Sequence, residues 1–287
     1  MEAAGNRYIL HRSRSDWFSI WNLSDVHYLA RACAESHFKA DIKRIARDPR
    51  ALWIAGGDLF DFVNYKDKKR FNAANLAPWV TVKMLANLGN VAVERMSALL
   101  APIRGKCLGI MQGNHETAYE SRCDTYYTAA LCENLDVPFL GYSCMMRLVF
   151  CRTSSVKKPV LQLTQCPRGN SHTNAFCFFA HHGAGAAQTA GGKVNRLVRF
   201  MGSFDADIYM IGHIHDQISR KIVEVGVDAA GTTIVHRDRL GAVSGGYLRT
   251  YMQGETGYGE VRGYAPTVLG AAVVRVCPST RELRGEV

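Results

Sequence analysis

No apolar run in this chain reaches the roughly 18 residues needed to cross a bilayer, so no membrane span is expected. The N-terminal stretch MEAAGNRYILHRSRSDW lacks an apolar core behind its first basic residue, which argues against a secretory signal. There is no C-x-x-C pair, which argues against a zinc ribbon and a thioredoxin-type site. The nine cysteines are odd in number and scattered. Cys107 and Cys177 lie inside apolar runs and read as reduced core residues, as expected in a cytoplasmic, reducing compartment. Repeats, low-complexity tracts and long linkers are also missing. Acidic residues are in deficit, 25 against 35 Lys and Arg, giving a formal charge of +10. Such a surface attracts polyanions, although surplus charge also serves solubility alone.

What is present is the balance of a globular protein: 287 residues, 47% hydrophobic and 21% charged. Apolar β-rich runs alternate with helical patterns, which predicts α/β architecture. Residues 17–23, 51–55, 107–111, 175–180 and 207–211 read as strands, and 139–152 and 159–164 as strand-like. Helical spacing covers 30–47, 76–101 with a break near Gly89, 121–135 and 193–202. Beyond about residue 216 only strand and turn patterns occur. Residues 217–287 are therefore expected to complete a second sheet within a single domain, 1–287.

Five of these strands finish in the same kind of chemistry. They run into Asp25-Val26-His27, Asp58-Leu59-Phe60-Asp61, Gly113-Asn114-His115-Glu116, His181-His182-Gly183 and Gly212-His213-Ile214-His215. Ligands of open α/β sheets bind at the carboxyl ends of strands. Aspartate, asparagine and histidine together suit manganese, iron, zinc or nickel better than calcium. Asp-x-His on an extended segment puts both side chains on one face, and Gly-His-x-His does the same with two imidazoles. A carboxylate such as Asp58 has two oxygens and can bridge two ions, and two ions roughly 3.5–4 Å apart can activate water against a phosphoryl group. Each motif alone is a cap, a turn or a loop histidine. Only their conjunction, each at a strand end, points to a metal centre.

In that order the motifs resemble the calcineurin-like binuclear metallophosphoesterases, over Asp25 to His215. The resemblance implies a four-layer α/β/β/α sandwich of two mixed sheets flanked by helices. It implies two divalent metal ions, manganese before iron, zinc or nickel, and phosphate-ester hydrolysis by a metal-bridging hydroxide. Asp25, His27 and His215 would hold one ion, and Asn114, His213 and a histidine of the 181–182 pair the other, with Asp58 between them. His181 is preferred over His182 because it is nearer the strand end. His115 would serve the leaving group and Asp61 would orient it.

The substrate is less legible. The basic charge, Arg7, Arg12 and Arg14 near the N-terminus, and Tyr247, Arg249, Tyr251, Tyr258, Arg262 and Tyr264 in the tail lean towards DNA, RNA or nucleotides, since aromatic faces stack bases and arginines track phosphates. The plainer alternative is that the tyrosines pack a sheet. Residues 244–251 and 257–259 are similar to phage- and prophage-encoded phosphoesterases, which implies a DNA- or nucleotide-processing setting. A phosphodiesterase, with a nuclease as one form of it, is the first expectation; a phosphomonoesterase and a nucleic-acid-binding protein with structural metals are the alternatives. Residues 254–259 read as a flexible turn over the site, and the glycines at 183 and 185 as backbone donors to phosphate.

Overall fold

A computed structural model of the chain describes residues 1–62, 73–123, 125–163, 172–185, 187–254 and 256–286. Strand β1 (Glu2–His11) is followed by β2 (Phe18–Leu23), α1 (Glu35–Arg47) and β3 (Ala51–Gly56). Then come α2 (Leu88–Leu100), β4 (Cys107–Met111), α3 (Asn114–Cys123) and α4 (Tyr127–Leu135). Next are β5 (Ser143–Arg152), β6 (Val160–Gln162), β7 (His172–His181), α5 (Ala190–Ser203) and β8 (Ile208–Ile211). The chain ends with β9 (Ile218–Val227), β10 (Ile234–Val243), α6 (Tyr258–Val261), β11 (Ala272–Cys277) and β12 (Glu282–Glu286).

Two mixed sheets result. One has the order β6-β1-β5-β7-β8-β10-β9 and the other β12-β11-β2-β3-β4. Strand alternation builds three apolar layers from them. In β3, Leu52 and Ile54 point between the sheets, where they meet Phe150, Phe178 and Met210. Trp53 and Ala55 point the other way, onto Phe38, Ile42 and Ile45 of α1 and the apolar faces of α2 and α4. On the far side, Phe179, Tyr209 and Ile211 pack under Leu197 and Met201 of α5. The sandwich is helix, sheet, sheet, helix, as expected.

Several local expectations needed adjustment. Strand β1 was not foreseen, because EAAGNRY shows no alternation; it pairs in parallel with β5 through an irregularity between Ala3 and Asn6. Residues 28–34 are apolar but precede α1, and Tyr28 and Leu29 are buried there without being helical. The break in 76–101 is a 3-10 segment, Val82–Asn87, ahead of α2. Gly89 does not cause it: a Cβ there would run into the Tyr127 ring, so Gly89 permits close packing of α2 on α4. The C-terminal part divides between the sheets, β9 and β10 in one and β11 and β12 in the other. Part of the expected strand 159–164 and of the loop after it lies outside the described residues. Among the described residues no helix is long and apolar enough to cross a membrane.

Strands β2, β3 and β4 are mutually parallel, as are β7 and β8 in the other sheet. The sheets are tied at this end, where Asn22 Nδ2 donates to the Ile211 carbonyl at 3.2 Å. All five motif-bearing strand ends therefore open at one edge of the sandwich.

Candidate metal centre

Among the described residues three groups of potential ligands form there, each with its donor atoms within 4.8 Å of one another: Asp25, His27 and His215; His27, Asp58 and His115; Asp58, His182 and His213. His27 links the first group to the second and Asp58 links the second to the third. Oδ1 of Asn114 lies 3.1 Å from Nε2 of His182, at the edge of the third group.

The backbone that presents these side chains is not extended. Seven non-glycine residues among those described have positive φ, and five of them are Asp25, His27, Asp58, His213 and His215. Side chains in that region cost roughly 1 kcal/mol each relative to ordinary backbone. Asp25 and His27 thus share a side through alternating left-handed residues, not through the period of a strand, and His213 and His215 repeat the device. Neighbouring loops lock it: the Asp25 amide donates to the Gly57 carbonyl at 2.9 Å and the His27 amide to that of Asp58 at 3.0 Å. Gly57 has φ +92°, and a Cβ there would stand 2.6 Å from His182 Nδ1. A Cβ at Gly113 would collide with the Asp58 carboxylate.

Outer partners fix the imidazoles. His182 Nδ1 donates to the Gly56 carbonyl at 2.8 Å, which turns Nε2 towards Asp58 Oδ2 at 3.3 Å. His27 Nδ1 pairs with Asp61 Oδ1 at 3.3 Å, turning its Nε2 to within 3.4 Å of His215 Nε2. His215 Nε2 is also 3.1 Å from Asp25 Oδ1. The second Asp25 oxygen accepts from the His213 amide at 2.9 Å and from Ser24 Oγ at 2.5 Å.

The charge balance suits a cation. Asp25, Asp58 and Glu116 are buried to 1% exposure or less, and buried carboxylates need compensation. Among the described residues, the ion-pair partners of Asp25, Asp58 and Asp61 are imidazoles. Burial pushes the Asp25 carboxyl up, but the charge and hydrogen bond of His215 outweigh it and hold the group at about 2. Asp58 is held well below the usual carboxylate range, against its burial, by His182. Reciprocally, burial lowers His182 while the Asp58 charge raises it, to about 10. Carboxylates and imidazole nitrogens gathered in this way could hold a cation.

Glu116, the last residue of the Gly113-Asn114-His115-Glu116 motif, acts on the backbone. Its Oε2 accepts from the amides of Asp58 (3.0 Å) and Gly113 (2.8 Å), and its Oε1 from that of Phe60 (2.9 Å). It clamps the loop after β3 to the start of α3. Burial first, then the Asp58 charge, raises it to about 8. The available signal was the capping-box spacing: Gly113 precedes the helix and Glu116 is its third residue.

His181 does not join the cluster, and His182 takes the place expected for it. In β7, Phe176, Phe178 and Ala180 face the space between the sheets, whereas Phe179 faces α5. His181 shares the parity of Phe179: its ring lies 4.7 Å from that of Phe200 on α5. Its Nδ1 accepts the Gly183 amide at 2.7 Å, so that amide is not free for phosphate. Burial lowers His181 to about 4.

Other candidates are placed as follows. Asp61 stands beside His27 and His115, at 3.3 and 3.0 Å. Arg7 is buried, its Nε donating to the Leu108 carbonyl at 3.0 Å. Tyr247 is a core residue whose hydroxyl donates to Asp41 Oδ2 at 2.8 Å. Tyr251 is exposed and donates to the Tyr264 carbonyl at 2.8 Å. Glu255, in the expected flexible turn, lies outside the described residues, as does the side chain of Tyr258.

No protein-family profile matches the chain. No curated protein matches it either. Among solved structures, the fold is similar to a conserved uncharacterized protein of Streptococcus pneumoniae described as a predicted phosphoesterase. The two share 12% identity over 91% of this chain and 84% of that one, with a TM-score of 0.33. A likeness of that degree has no bearing on function, which has to come from the site.

Proposed function

We propose that the chain is a metal-dependent phosphoesterase with a binuclear centre, and within that class a phosphodiesterase acting on nucleic acid or nucleotides. The supporting observation is the position of Asp58, whose carboxylate belongs to two ligand groups, with His27 and His115 on one side and His182 and His213 on the other. Asp25, His27, Asp58 and His215 would hold one cation; Asp58, Asn114, His182 and His213 would hold the other. The donor set suits manganese first, then iron, zinc or nickel. Bound divalent ions supply Lewis acidity to a phosphoryl group and lower the pKa of water.

The chain's own residues do the rest. Asp61 keeps Nδ1 of His27 occupied, so its Nε2 lone pair faces inward. His115 is 21% exposed at the mouth, with Nδ1 on Asp61, and its other nitrogen hands a proton to the leaving oxygen. In the metal-free chain burial lowers His115, but the hydrogen bond to Asp61 and the Asp58 charge outweigh it and raise it to about 9. The formal charge of +10 favours an anionic, nucleic-acid-like substrate.

Turnover of bis-p-nitrophenyl phosphate and p-nitrophenyl phosphate by manganese-reconstituted protein tests this. The diester should be the better substrate. Faster hydrolysis of the monoester would make the protein a phosphomonoesterase. Salt-dependent DNA binding with no turnover of either ester would leave the metals a structural role.

A further inference from the structure

Beside the metal centre, on the outer face of the seven-stranded sheet, is a cavity of about 450 Å³, within the size range of small-molecule sites. One wall is α5. Arg196, Arg199, Phe200 and Ser203 recur at three- to four-residue spacing and line the cavity as one stripe, next to the buried stripe of Leu197 and Met201. The facing wall contains Gly183, Ala184 and Ile214. Gly183 follows His182, and Ile214 separates His213 from His215. The wall is therefore one residue, about 3.8 Å of chain, from the histidines of the candidate ligand groups.

Two kinds of chemistry meet in it. The floor is aromatic and rigidly backed: the Phe204 ring stacks on Phe179 at 4.2 Å, and the Phe200 ring lies 5.7 Å from Phe179 and 4.7 Å from His181. Phe200 and Phe204 are only half-buried, so part of each faces the cavity. The rim is cationic. Lys193, one turn earlier, is neutralised by Asp216 at 3.0 Å, whereas Arg196 and Arg199 have no acidic partner among the described residues. The Arg196 guanidinium lies over Gly185, where a Cβ would come within 2.9 Å of its Cζ.

A flat aromatic surface beside two uncompensated guanidiniums matches a ligand that is itself a flat ring bearing an anion. We propose that this cavity binds a nucleoside monophosphate unit, with its base over Phe200 and its phosphate on Arg196 and Arg199. Its service as a substrate subsite rests on the phosphoesterase proposal; its binding of the ligand does not.

The test is titration calorimetry of chelator-treated protein with adenosine 5′-monophosphate, adenosine and inorganic phosphate. The nucleotide should bind at least tenfold more tightly than either fragment. Arg199→Ala, on an exposed position, and Phe200→Leu should each weaken it about tenfold, the scale of one guanidinium–phosphate contact or one base stack. Circular dichroism checks that both variants fold. Absence of nucleotide binding, or equal binding by the wild type and Arg199→Ala, would overturn the assignment. Variant-sensitive nucleotide binding by a protein that hydrolyses neither nitrophenyl ester would uphold the cavity and refute the phosphoesterase. Diester hydrolysis with nucleotide binding indifferent to both substitutions would do the reverse.

Discussion

Oδ1 of Asp61 lies 3.0 Å from Nδ1 of His115, and the same oxygen is 3.3 Å from Nδ1 of His27. One carboxylate oxygen thus sets the orientation of two imidazoles, which under the proposed function would face a cation and the leaving group respectively. Asp61→Asn removes the charge and offers both rings a donor or acceptor at random. The expected cost is about 10–100-fold in metal affinity or turnover, the usual range for such outer partners. Metal titration and steady-state kinetics on the diester measure it; wild-type values for both would show that Asp61 orients neither ring.

His115→Ala should retain metal and lose about 10²–10⁴ in kcat, the range for a general acid. The loss should grow as the leaving group becomes more basic, because a good leaving group needs no proton. A series of aryl diesters of rising phenol pKa reads this out. Equal losses across the series would remove the general-acid role.

The neighbouring histidines should behave oppositely. His182→Ala deletes an imidazole whose Nε2 lies 3.3 Å from Asp58 Oδ2, and is expected to release one ion per chain. His181→Ala deletes a ring packed on Phe200 and should leave metal content intact. Elemental analysis of both variants decides, and the opposite pattern would restore His181 as the ligand.

Much of this was legible in the residues. Asp, Asn and His immediately after apolar runs marked five strand ends, because strand length and burial constrain where a chain can leave a sheet. The choice between His181 and His182 was not legible, because residues 175–180 are apolar on both faces and only the packing of Phe176, Phe178 and Ala180 between the sheets, with Phe179 against α5, tells which side His182 takes. Other features were beyond local pattern. The left-handed backbone of Asp25 and His27 depends on hydrogen bonds to the loop after β3, which no local spacing encodes. Strand β1 is stabilised by its pairing with β5, far along the chain, and Tyr247 is buried by α1 and Asp41. Tertiary partners decided these cases.

Acid should destabilise the metal-free protein in a defined window. Burial raises the Asp61 carboxyl, yet the hydrogen bonds from His115 and His27 hold it at about 2, below its unfolded value of about 3.9. Its contribution to stability is complete above about pH 4 and is lost as the pH falls towards 2. Denaturant unfolding in chelator should show Asp61→Asn less stable than wild type at about pH 5, with the difference shrinking by about pH 3. A difference independent of pH would mean that the Asp61 carboxyl has the same pKa in the folded and unfolded chains.

The most direct measurement is the metal stoichiometry of the wild type and Asp58→Ala, by elemental analysis after manganese reconstitution. Two ions per wild-type chain, falling to one or none in the variant, is the predicted result. An unchanged metal content in Asp58→Ala would contradict the placement of a shared aspartate between two cations.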